Sequence, residues 1–481
     1  MYCGIDVGTT NTKVLVFNDS FKVVFLEKFK TPVISSEEGD LLSSEKLFEG
    51  ILRSLKEIPE GIKKKIEAIG ISSLGETVFP VSKDGEVLQD GMMWYNKSVL
   101  REYREFLERV PPIVIFKKTG LWPSWIYSVF KMKKFYKGNE ELSQRVYKWL
   151  DVTSLIAFLL TGNVAMDRGH SSRTLLMNIL TGKWDDELVE ASGIPKEHLP
   201  EVADSGIPRG KIREEISKEI GFPEDVIVTT AGQDHITASY AVSVHDETKL
   251  MDSSGTTEAM LWTVGRETLE RYLKKAPKVF QAGFHCIPGK YYLLTGLPTG
   301  GFCIDWLLNK ILKEDYSVFR MFKYQKNTAF FFPYLRGKFD REEIGGAFFN
   351  LKDTDDRDVI ISAVLESIAF EMRGCLNEFE KLGLKNYEVV ATGGGSQLRE
   401  WLKIKASVFD RAVKVFSVHE SVALGAAMIA KIAKTGQKNW GEFFKRISQN
   451  FEYEYFYPGE SDYFQRKYLE YLKLRNRIYG F

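Results

Sequence analysis

The sequence predicts an α/β protein built from two similar halves. A Gly-Thr-Thr run that follows an aspartate occurs twice, within residues 6–10 and within residues 252–257. Each copy joins two short stretches rich in apolar and β-branched residues, which is typical of a tight polar turn between two strands. Strand and helix patterns also alternate within each half, as they do in α/β proteins. Because 481 residues exceed what one hydrophobic core usually supports, two domains are expected.

The first half starts with a β-meander and continues with mixed elements. Residues 44–56 place apolar side chains on one helix face, and Ser44 is positioned to cap that helix. Helical patterns dominate residues 98–160, and a helix rich in small residues covers 236–242. The predicted strands are 2–7, 12–17, 22–29, 66–72, 78–81, 86–88 and 226–230.

The second half repeats the meander and then alternates strands with helices. Its predicted strands are 249–253, 258–264, 291–295, 387–391 and 413–416. Its predicted helices are 305–311, 359–382, 397–409 and 421–433, and the remaining tail is expected to be helical. These patterns favour a first domain at 1–245, a second at 246–436 and a C-terminal tail at 437–481.

The C-terminal tail carries several aromatic side chains. They are Phe451, Tyr453, Tyr455, Phe456 and Tyr463. Two interpretations stay open: the tail packs on the second domain, or it forms the face of a homodimer.

Composition and charge exclude several classes of protein. The chain has 66 Lys and Arg against 65 Asp and Glu, so it lacks the positive field expected of a nucleic-acid-binding protein. No apolar stretch approaches the roughly 20 residues of a membrane-spanning helix. The chain enters a strand pattern almost at once, so no leader is expected. The four cysteines show no paired spacing, which favours a reduced, cytoplasmic protein.

The first Gly-Thr-Thr turn combines groups that can bind phosphate. Its members Gly8, Thr9 and Thr10 offer backbone amides and hydroxyl groups. Asp6 ends the preceding strand and can hold a magnesium ion or its waters, while Lys13 on the next strand can meet phosphate oxygens. The alternative is a polar hairpin turn with a solvated lysine.

The second copy of the turn favours the phosphate interpretation for both. It consists of Gly255, Thr256 and Thr257. An additional residue separates Asp252 from this turn, so the geometry of the two copies differs. Asp252 is therefore the weaker metal candidate.

A carboxylate follows the predicted strand 226–230. In Gly232-Gln233-Asp234-His235, Asp234 is expected at the C-terminal end of a parallel strand, where α/β sheets place ligands. A carboxylate there can accept a proton from a hydroxyl group. The alternative is that Asp234 is the N-cap of the following helix.

Two glycine-rich turns precede predicted helices. The run Gly393-Gly394-Gly395 suits close approach of an adenosine or phosphate group at a helix N-terminus. Gly300 and Gly301 form a similar turn. In both places the glycines are equally consistent with tight packing. The sequence contains no GxxxxGK[ST] motif, which excludes a P-loop enzyme.

Taken in order along the chain, these runs resemble the FGGY family of carbohydrate kinases. The resemblance extends over nearly the whole chain. Its runs are residues 4–13, 150–162, 171–176, 182–184, 331–351, 393–395 and 424–427. It implies an α/β fold of two duplicated actin-like ATPase (ribonuclease H-like) domains with a central cleft for nucleotide and substrate.

The resemblance also implies a function and a role for individual residues. The implied activity is transfer of the γ-phosphoryl group of Mg-ATP to a hydroxyl of a small ketose, polyol or aldonate. In the implied scheme, domain 1–245 provides the sugar side, domain 246–436 the ATP side, and the tail packs on the second domain. The resemblance implies that Asp234 is the catalytic base and that Asp6 binds magnesium. It assigns Gly8, Thr9, Thr10 and Lys13 to a first phosphate-binding loop, and Gly255, Thr256 and Thr257 to a second. It also implies that Gly301 contacts phosphate and that Gly394 and Gly395 belong to the adenosine loop.

The acceptor side departs from the family pattern. Where the family commonly has Trp-x-Asp-x-Arg, this chain has Trp94-Tyr95-Asn96-Lys97-Ser98. Glu76 lies in a Gly-Glu run that resembles the substrate loop of one branch. Glu76, Trp94 and Asn96, together with Asp234, are the candidate acceptor residues. Trp94 could equally belong to the core, and Lys97 could face either an anionic acceptor or solvent.

A second function class also fits an actin-like fold. A non-catalytic or chaperone-like ATPase would use nucleotide to drive a conformational change and would need no acceptor hydroxyl. The kinase interpretation predicts that the protein binds ATP and a small carbohydrate, and that it binds neither nucleic acid nor membranes.

Overall fold

A computed structural model describes residues 1–242, 244–338, 341, 343–417 and 420–480. The chain forms two compact units, each made of segments that are separate in sequence. Unit 1 comprises Met1–His245, Val264–Leu293 and Glu420–Asn450, and unit 2 comprises Asp246–Thr263, Leu294–His419 and Phe451–Phe481. The sequence-based division at 245 and 436 stays a prediction.

The strands are numbered in chain order. They are β1 (Tyr2–Val7), β2 (Asn11–Phe17), β3 (Val23–Lys30), β4 (Val33–Ser36), β5 (Gly39–Leu42), β6 (Ala68–Ser73), β7 (Val78–Val81), β8 (Gly91–Met92), β9 (Lys148–Asp151), β10 (Met166–Asp167), β11 (Met177–Asn178), β12 (Lys183–Trp184), β13 (Val202–Ala203), β14 (Pro208–Lys211), β15 (Ile227–Gln233), β16 (Lys249–Ser254), β17 (Glu258–Val264), β18 (Gln281–Phe284), β19 (Tyr291–Leu297), β20 (Phe330–Phe332), β21 (Ala347–Phe349), β22 (Glu388–Thr392), β23 (Val413–Phe416) and β24 (Tyr453–Phe456).

The α-helices are numbered in the same way. They are α1 (Ser44–Lys56), α2 (Glu60–Lys63), α3 (Leu100–Arg109), α4 (Pro112–Thr119), α5 (Ser128–Gly138), α6 (Glu140–Arg145), α7 (Val152–Thr161), α8 (Arg168–Ser172), α9 (Asp186–Ser192), α10 (Glu214–Ile220), α11 (Asp234–Ala241), α12 (Arg266–Lys275), α13 (Gly300–Trp306), α14 (Arg357–Leu382), α15 (Arg399–Phe409), α16 (Ser421–Thr435), α17 (Trp440–Ser448) and α18 (Ser461–Tyr479). Short 3₁₀ turns cover Lys97–Val99, Lys196–His198, Tyr316–Arg320 and Gly394–Gln397, and a π turn covers Leu307–Leu312.

Unit 1 is organised around a six-stranded sheet in the order β14-β15-β6-β1-β2-β3. β15, β6 and β1 run parallel at its centre, whereas β2, β3 and β14 are antiparallel to their neighbours. Alternation along β1 directs Cys3, Ile5 and Val7 into a core shared with α1 and α7. The residues between them, including Gly4 and Asp6, lie on the opposite face, which α16 covers.

Helix α16 approaches the sheet so closely that glycine is required at the contact. A Cβ atom at Gly4 would lie 1.9 Å from the carbonyl oxygen of Ala423, and one at Gly70 would lie 1.9 Å from that of Ala426. Within the helix, a Cβ atom at Gly425 would lie 2.3 Å from the carbonyl oxygen of Thr237. At Gly4 and Gly70 the backbone of the helix therefore meets the backbone of the sheet, and at Gly425 the helix makes the corresponding close contact with α11.

Unit 2 contains a sheet in which β17, β16, β22, β23 and β24 are neighbours in that order. β16, β22 and β23 are parallel, while β17 and β24 are antiparallel to their neighbours. The predicted meander strands 249–253 and 258–264 are confirmed as β16 and β17. Ser254 pairs with Glu258 at the closed end of this hairpin, so the second Gly-Thr-Thr run is the turn itself.

The structure corrects the element predictions in five places. The predicted strand 86–88 does not form, and Val87 makes only an isolated bridge to Val81. The region 98–160, predicted as helical, includes strand β9, whose buried Trp149 and Leu150 pair with β7. Helix α13 begins before the predicted 305, and the segment continues as a π turn. The tail contains the edge strand β24 as well as helices. Ser43, and not Ser44, caps α1 through its side chain.

Among the described residues, no helix combines the length and apolar character needed to cross a bilayer.

The close contact between α16 and the sheet predicts the effect of one methyl group. Gly70→Ala should lower the free energy of unfolding by about 1–3 kcal/mol, because the methyl group would collide with helix backbone that cannot rotate away. A denaturant titration followed by tryptophan fluorescence measures this change. Gly61→Ala is the matched control, since a Cβ atom at Gly61 in α2 meets nothing within 4 Å. An unchanged midpoint for Gly70→Ala would contradict the close contact.

Candidate active site

The carboxyl ends of the three central parallel strands of unit 1 bring the key acidic residues together. Asp6 on β1 is level with Ser72 on β6, and Ser72 is level with Gly232 on β15. The backbones of β1 and β15 are therefore about 10 Å apart, with β6 between them. Asp234 follows β15 directly, so it lies at the same sheet edge as Asp6, where parallel sheets place ligands.

A bulge in β15 sets the direction of the chain just before Asp234. The pairing register shifts between Thr230 and Gly232, and Gly232 has a left-handed backbone with φ of 92°. The hydroxyl of Ser72 donates to the carbonyl of Gly232 at 2.9 Å and fixes the bulge to β6. β-Bulges commonly redirect a side chain beside an active site.

Asp234 occupies the first position of α11 and is partly exposed. The N-cap position belongs to Gln233, whose side chain makes no capping bond. The Asp234 carboxylate accepts a hydrogen bond from the His235 amide at 2.7 Å. Its second oxygen accepts no hydrogen bond from the described residues, so the carboxylate is not consumed by a cap and can meet a ligand.

The charges around Asp6 form a small network within unit 1. The ammonium of Lys13 lies 2.6 Å from the carboxylate of Glu420. Burial raises the pKa of Asp6 to about 7; Lys13 opposes the rise, while the negative charges of Asp234 and Glu420 add to it. Asp6 therefore lacks enough positive charge nearby to keep its carboxylate fully ionised at neutral pH.

Asp6 fits the predicted magnesium role on this electrostatic ground. In the described ranges no three His, Cys, Asp or Glu side chains form a metal-binding group. Mg²⁺ does not need one, because it is usually held by one or two carboxylates together with water and phosphate oxygens. A divalent cation would supply the positive charge that the buried Asp6 carboxylate lacks.

The first Gly-Thr-Thr turn is a closed hairpin with two amides left to donate. The amide of Gly8 donates to the carbonyl of Asn11 at 3.0 Å, and the hydroxyl of Thr31 donates to the carbonyl of Gly8 at 2.7 Å. The amides of Thr9 and Thr10 donate to no residue in the described part of the chain. These two N–H groups can bind an anion.

The candidate acceptor residues Trp94 and Asn96 occupy different environments. The indole N–H of Trp94 donates to the Thr9 hydroxyl at 3.2 Å, so Trp94 contacts the first turn while its ring packs on the core. Asn96 is buried; its side chain accepts from the Ser98 amide at 3.0 Å and donates to the Asp40 carbonyl at 3.2 Å. Asn96 thus uses both ends of its amide within the protein, and its acceptor role stays a prediction.

Glu76 is held by an arginine that sequence analysis did not single out. Glu76 has a left-handed backbone with φ of 62°, which is uncommon for a residue with a side chain. Its carboxylate forms a buried ion pair with Arg173 Nε. The other guanidinium nitrogens donate to the Tyr292 hydroxyl and to the Gln281 side chain, each at 3.0 Å. A buried arginine with three fixed partners makes Glu76 a rigid group.

Gln233 adjoins the same group and was also missed. A Cβ atom at Gly75 would lie 3.1 Å from Gln233 Nε2 and 3.4 Å from Arg173 Nε. The carbonyl oxygen of the Gln233 side chain is buried and has no partner among the described residues. Because Gln233 precedes Asp234, the structure places an unused polar group beside the candidate base. The only sequence signal for Gln233 was its position next to Asp234.

A buried histidine lies between two carboxylates at the base of this region. His170 Nδ1 is 3.6 Å from Asp151 and 3.9 Å from Asp167, longer than hydrogen bonds but close enough for strong attraction between charges. Burial alone would lower the pKa of His170, but Asp151 and Asp167 outweigh it and raise the pKa to about 9. His170 is therefore charged at neutral pH.

The same network supports both candidate segments. His170 Nε2 lies 3.4 Å from the carbonyl oxygen of Leu74, just before the run that contains Glu76. Asp167 accepts hydrogen bonds from the Thr230 hydroxyl at 2.9 Å and from the Ser205 hydroxyl at 2.8 Å. Thr230 precedes the bulge that leads to Asp234, so the buried charges brace both the segment that carries Glu76 and the strand that leads to Asp234.

In unit 2 the second Gly-Thr-Thr turn is secured by the start of α13. Gly301 donates its amide to the Gly255 carbonyl at 2.9 Å, and Phe302 donates to the Thr256 carbonyl at 3.0 Å. A Cβ atom at Gly301 would lie 2.4 Å from the Gly255 oxygen, so glycine is required there. Within the described ranges the amides of Thr256 and Thr257 donate to no other residue.

The glycine run before α15 divides into packed and open positions. A Cβ atom at Gly395 would lie 2.5 Å from the side chains of Ser254 and Trp401, whereas one at Gly394 would meet nothing within 4 Å. Gly393 has φ of 83° and approaches the Ser254 backbone. Tight packing explains Gly393 and Gly395, and Gly394 is the position open to a ligand.

Both halves of the chain match known protein families. Residues 1–240 match the sequence model of the FGGY family of carbohydrate kinases, N-terminal domain, and residues 250–434 match the C-terminal domain of the same family. The chain is 22% identical to a xylulose kinase of Staphylococcus xylosus over 458 residues, covering 93% of this chain and 92% of that protein. It is 26% identical to a glycerol kinase of Thermococcus gammatolerans over 488 residues, covering 96% and 94%.

A solved structure shares the fold. The ligand-bound xylulose kinase from Lactobacillus acidophilus superposes with a TM-score of 0.87 at 22% identity, covering 99% of this chain and 98% of that one. This likeness confirms the predicted fold class of two actin-like ATPase domains.

The buried histidine predicts a stability change at alkaline pH. Because the pKa of His170 is raised from 6.5 to about 9 in the folded state, its contribution is complete below pH 6.5 and is lost as pH rises through 9. The wild-type protein should lose on the order of 3 kcal/mol of unfolding free energy through this group. Denaturant titrations at pH 6.5, 8 and 10 measure the decline.

The matched variants separate this effect from general alkaline destabilisation. His170→Asn should show a shallower decline, since it lacks the titrating group. His198→Asn should keep the full decline, because burial lowers the pKa of His198 and it is neutral in this range. Equal slopes for wild type and His170→Asn would contradict the charged state of His170.

Proposed function

We propose that this chain, which belongs to the FGGY family of carbohydrate kinases, transfers the γ-phosphoryl group of Mg-ATP to a hydroxyl of a small ketose, polyol or aldonate, with Asp234 as the general base. As a member of that family it is an ATP:carbohydrate phosphotransferase. The observation that supports the Asp234 assignment is its position, partly exposed, at the carboxyl end of β15 on the same sheet edge as Asp6.

The proposed base has the surroundings that proton transfer requires. A general base must reach the hydroxyl proton through one hydrogen bond, and one oxygen of Asp234 is already oriented by the His235 amide. The β15 bulge and the bond from Ser72 to Gly232 fix the backbone that carries it. Asp234 would accept the hydroxyl proton as the oxygen attacks phosphorus.

Asp6, by binding Mg²⁺, and Lys13, directly, would help to neutralise the negative charge of the phosphates. When bound, Mg²⁺ supplies positive charge that offsets the charge developing on the phosphoryl oxygens. Asp6 would hold the ion directly or through water, because its buried carboxylate needs a cation. Lys13, oriented by its 2.6 Å ion pair with Glu420, would meet a phosphate oxygen.

The turns would supply the remaining phosphate contacts. The amides of Thr9 and Thr10 in unit 1, and of Thr256 and Thr257 in unit 2, have no partners in the described part of the chain. Such N–H groups bind anions. We assign the adenosine side to Gly394 and its neighbour Gly395; of these, Gly394 is open to a ligand. Positioning and electrostatics supply most of the rate in phosphoryl transfer.

A small polyhydroxy acceptor is supported by the polar groups near Asp234. The Glu76 carboxylate is held in place by Arg173. The side-chain carbonyl of Gln233 has no partner among the described residues. Both groups would accept hydrogen bonds from hydroxyl groups of the substrate. Buried polar groups of this kind reject molecules that cannot satisfy them. The curated relatives named above act, by their names, on xylulose and glycerol, a ketose and a polyol. Trp94 would border the acceptor, because it contacts Thr9 of the first turn.

A turnover measurement tests the base. ADP release in the presence of Mg-ATP should be stimulated by at least one member of a panel of ketoses, polyols and aldonates. Asp234→Asn should lower acceptor-dependent turnover by about 10²–10⁴-fold, because the carboxylate that takes the proton is lost. Affinity for ATP should remain near that of the wild type.

The control uses the other end of the same strand. Asp225 precedes β15 and its exposed carboxylate pairs with Lys434, so Asp225→Asn should leave turnover unchanged. Near-normal turnover in Asp234→Asn would remove Asp234 from the role of base. Hydrolysis of ATP that no acceptor stimulates would instead favour the non-catalytic or chaperone-like ATPase.

A further inference from the structure

A lysine with no solvent exposure is bonded to both stems of the second Gly-Thr-Thr turn. Lys405 Nζ lies 2.7 Å from Asp252 Oδ2 and 2.6 Å from Ser254 Oγ, and it forms an ion pair with Glu258. An ammonium group has three hydrogens, and here it finds three acceptors. Asp252, the weaker metal candidate from the sequence, therefore already has a cationic partner.

The acceptors of Lys405 bracket the turn in sequence and in space. Ser254 directly precedes Gly255, Glu258 directly follows Thr257, and Ser254 and Glu258 are paired across the hairpin. The Ser254 hydroxyl also donates to Glu258 at 2.7 Å. Lys405 thus bonds to both the last residue of β16 and the first residue of β17. These bonds hold the turn between the two strands closed.

The helix that carries Lys405 also reaches the glycine run. Lys405 and Trp401 are both in α15, and the ammonium lies 4.3 Å from the centre of the Trp401 ring. Trp401 in turn packs where a side chain on Gly395 would be, and its indole N–H donates to the Leu365 carbonyl at 3.1 Å. α15 therefore links the second turn to the glycine run assigned to adenosine.

The charge of Lys405 bears on what the turn can bind. Asp252 and Glu258 are fully buried, and each has one carboxylate oxygen with no partner among the described residues. Burial raises the pKa of Glu258, Lys405 opposes the rise and Asp252 adds to it. Without Lys405, two buried carboxylates would lie behind a turn that has to accept an anionic phosphate.

We propose that Lys405 is a positioning residue for nucleotide binding: it holds the second Gly-Thr-Thr turn in its phosphate-binding form and offsets the negative charge behind it. This inference rests on the proposed function, in which that turn binds phosphate. Lys405 does not touch the nucleotide; it acts through Ser254 and Glu258.

The chain offers a matched control for a role in stability alone. Lys467 and Glu366 form a second buried Lys–Glu pair in unit 2, with Nζ 2.5 Å from the carboxylate and 2.7 Å from Asn327 Oδ1. Both side chains are at most 5% exposed. Within the described residues, Lys467 makes no hydrogen bond or ion pair with the second turn, so losing this pair should lower folding stability without changing nucleotide affinity.

The experiment compares Lys405→Met with Lys467→Met. Calorimetry with a non-hydrolysable ATP analogue and Mg²⁺ measures nucleotide affinity directly, and steady-state assays give KM for ATP and for the acceptor. Lys405→Met should weaken analogue binding and raise KM for ATP by about tenfold or more, as losing a supporting contact typically does. KM for the acceptor should change less than about twofold, and Lys467→Met should keep normal nucleotide affinity.

A milder variant keeps the test decisive if Lys405→Met does not fold. Ser254→Ala removes one of the three acceptors at the stem and leaves both ion pairs of Lys405 in place. It should weaken analogue binding in the same direction, by a smaller factor. Unchanged affinity in Ser254→Ala, or in a folded Lys405→Met, would overturn the inference. An equal loss in Lys467→Met would also overturn it, because the effect would then reflect stability.

Failure of the inference can be told apart from failure of the proposed function. If the wild-type protein shows no acceptor-dependent ADP release, the proposed function fails. Suppose instead that the wild type binds the analogue and turns over, and that Lys405→Met and Ser254→Ala bind the analogue as tightly as the wild type. Then only the role of Lys405 fails.

Discussion

The direct contact between the backbone of α16 and the centre of the first sheet is the constraint on which the arrangement of Asp6, Lys13 and Glu420 in unit 1 depends. Glycines at positions 4 and 70 leave room for the carbonyl groups of Ala423 and Ala426 at this interface. Glu420 immediately precedes α16, so the depth of the helix fixes where Glu420 meets Lys13. A side chain at either glycine would lift the helix and with it the charge that orients Lys13.

This contact helps to explain how acidic side chains come together at one edge of the first sheet, although the formal net charge of the chain is only +1. Asp6 shares the face that α16 covers, and burial there raises its pKa to about 7. Asp234, one strand beyond β6, adds to the rise. The carboxylates of Asp6, Asp234 and Glu420 outweigh Lys13 at this edge. They leave a demand for positive charge that a magnesium nucleotide would meet.

Support by buried ions recurs away from the reacting groups. In unit 1, charged His170 lies between Asp151 and Asp167 and braces the segments that carry Glu76 and Asp234. In unit 2, Lys405 lies among Asp252, Ser254 and Glu258 and closes the second turn. Buried charges are strongly destabilising when unpaired, so loss of one member of either network should be costly. Both are positioned to hold loops that the proposed reaction needs to be rigid.

Local patterns were sufficient to predict the repeated hairpin turns, most strands of the two large sheets and the positions of Asp6 and Asp234 at strand ends. The patterns could not reveal partners far apart in sequence: Lys13 and Glu420 are separated by 407 residues, and Arg173 meets Glu76 across 97 residues. A lysine within a helix is ordinarily exposed, so nothing in residues 397–409 indicated that Lys405 is buried. The bulge before Asp234 was also hidden, because its signal is a single glycine, Gly232, within a strand that otherwise looks regular.

In the proposed reaction, Asp234 takes the proton from the acceptor hydroxyl. A crystal structure with Mg²⁺, a non-hydrolysable ATP analogue and the acceptor identified in the panel measures this contact directly. We expect an Asp234 carboxylate oxygen within about 2.6–3.2 Å of the hydroxyl that faces the γ-phosphate. A bound acceptor whose reacting hydroxyl contacts another side chain, while the Asp234 carboxylate points away from that hydroxyl, would contradict this expectation.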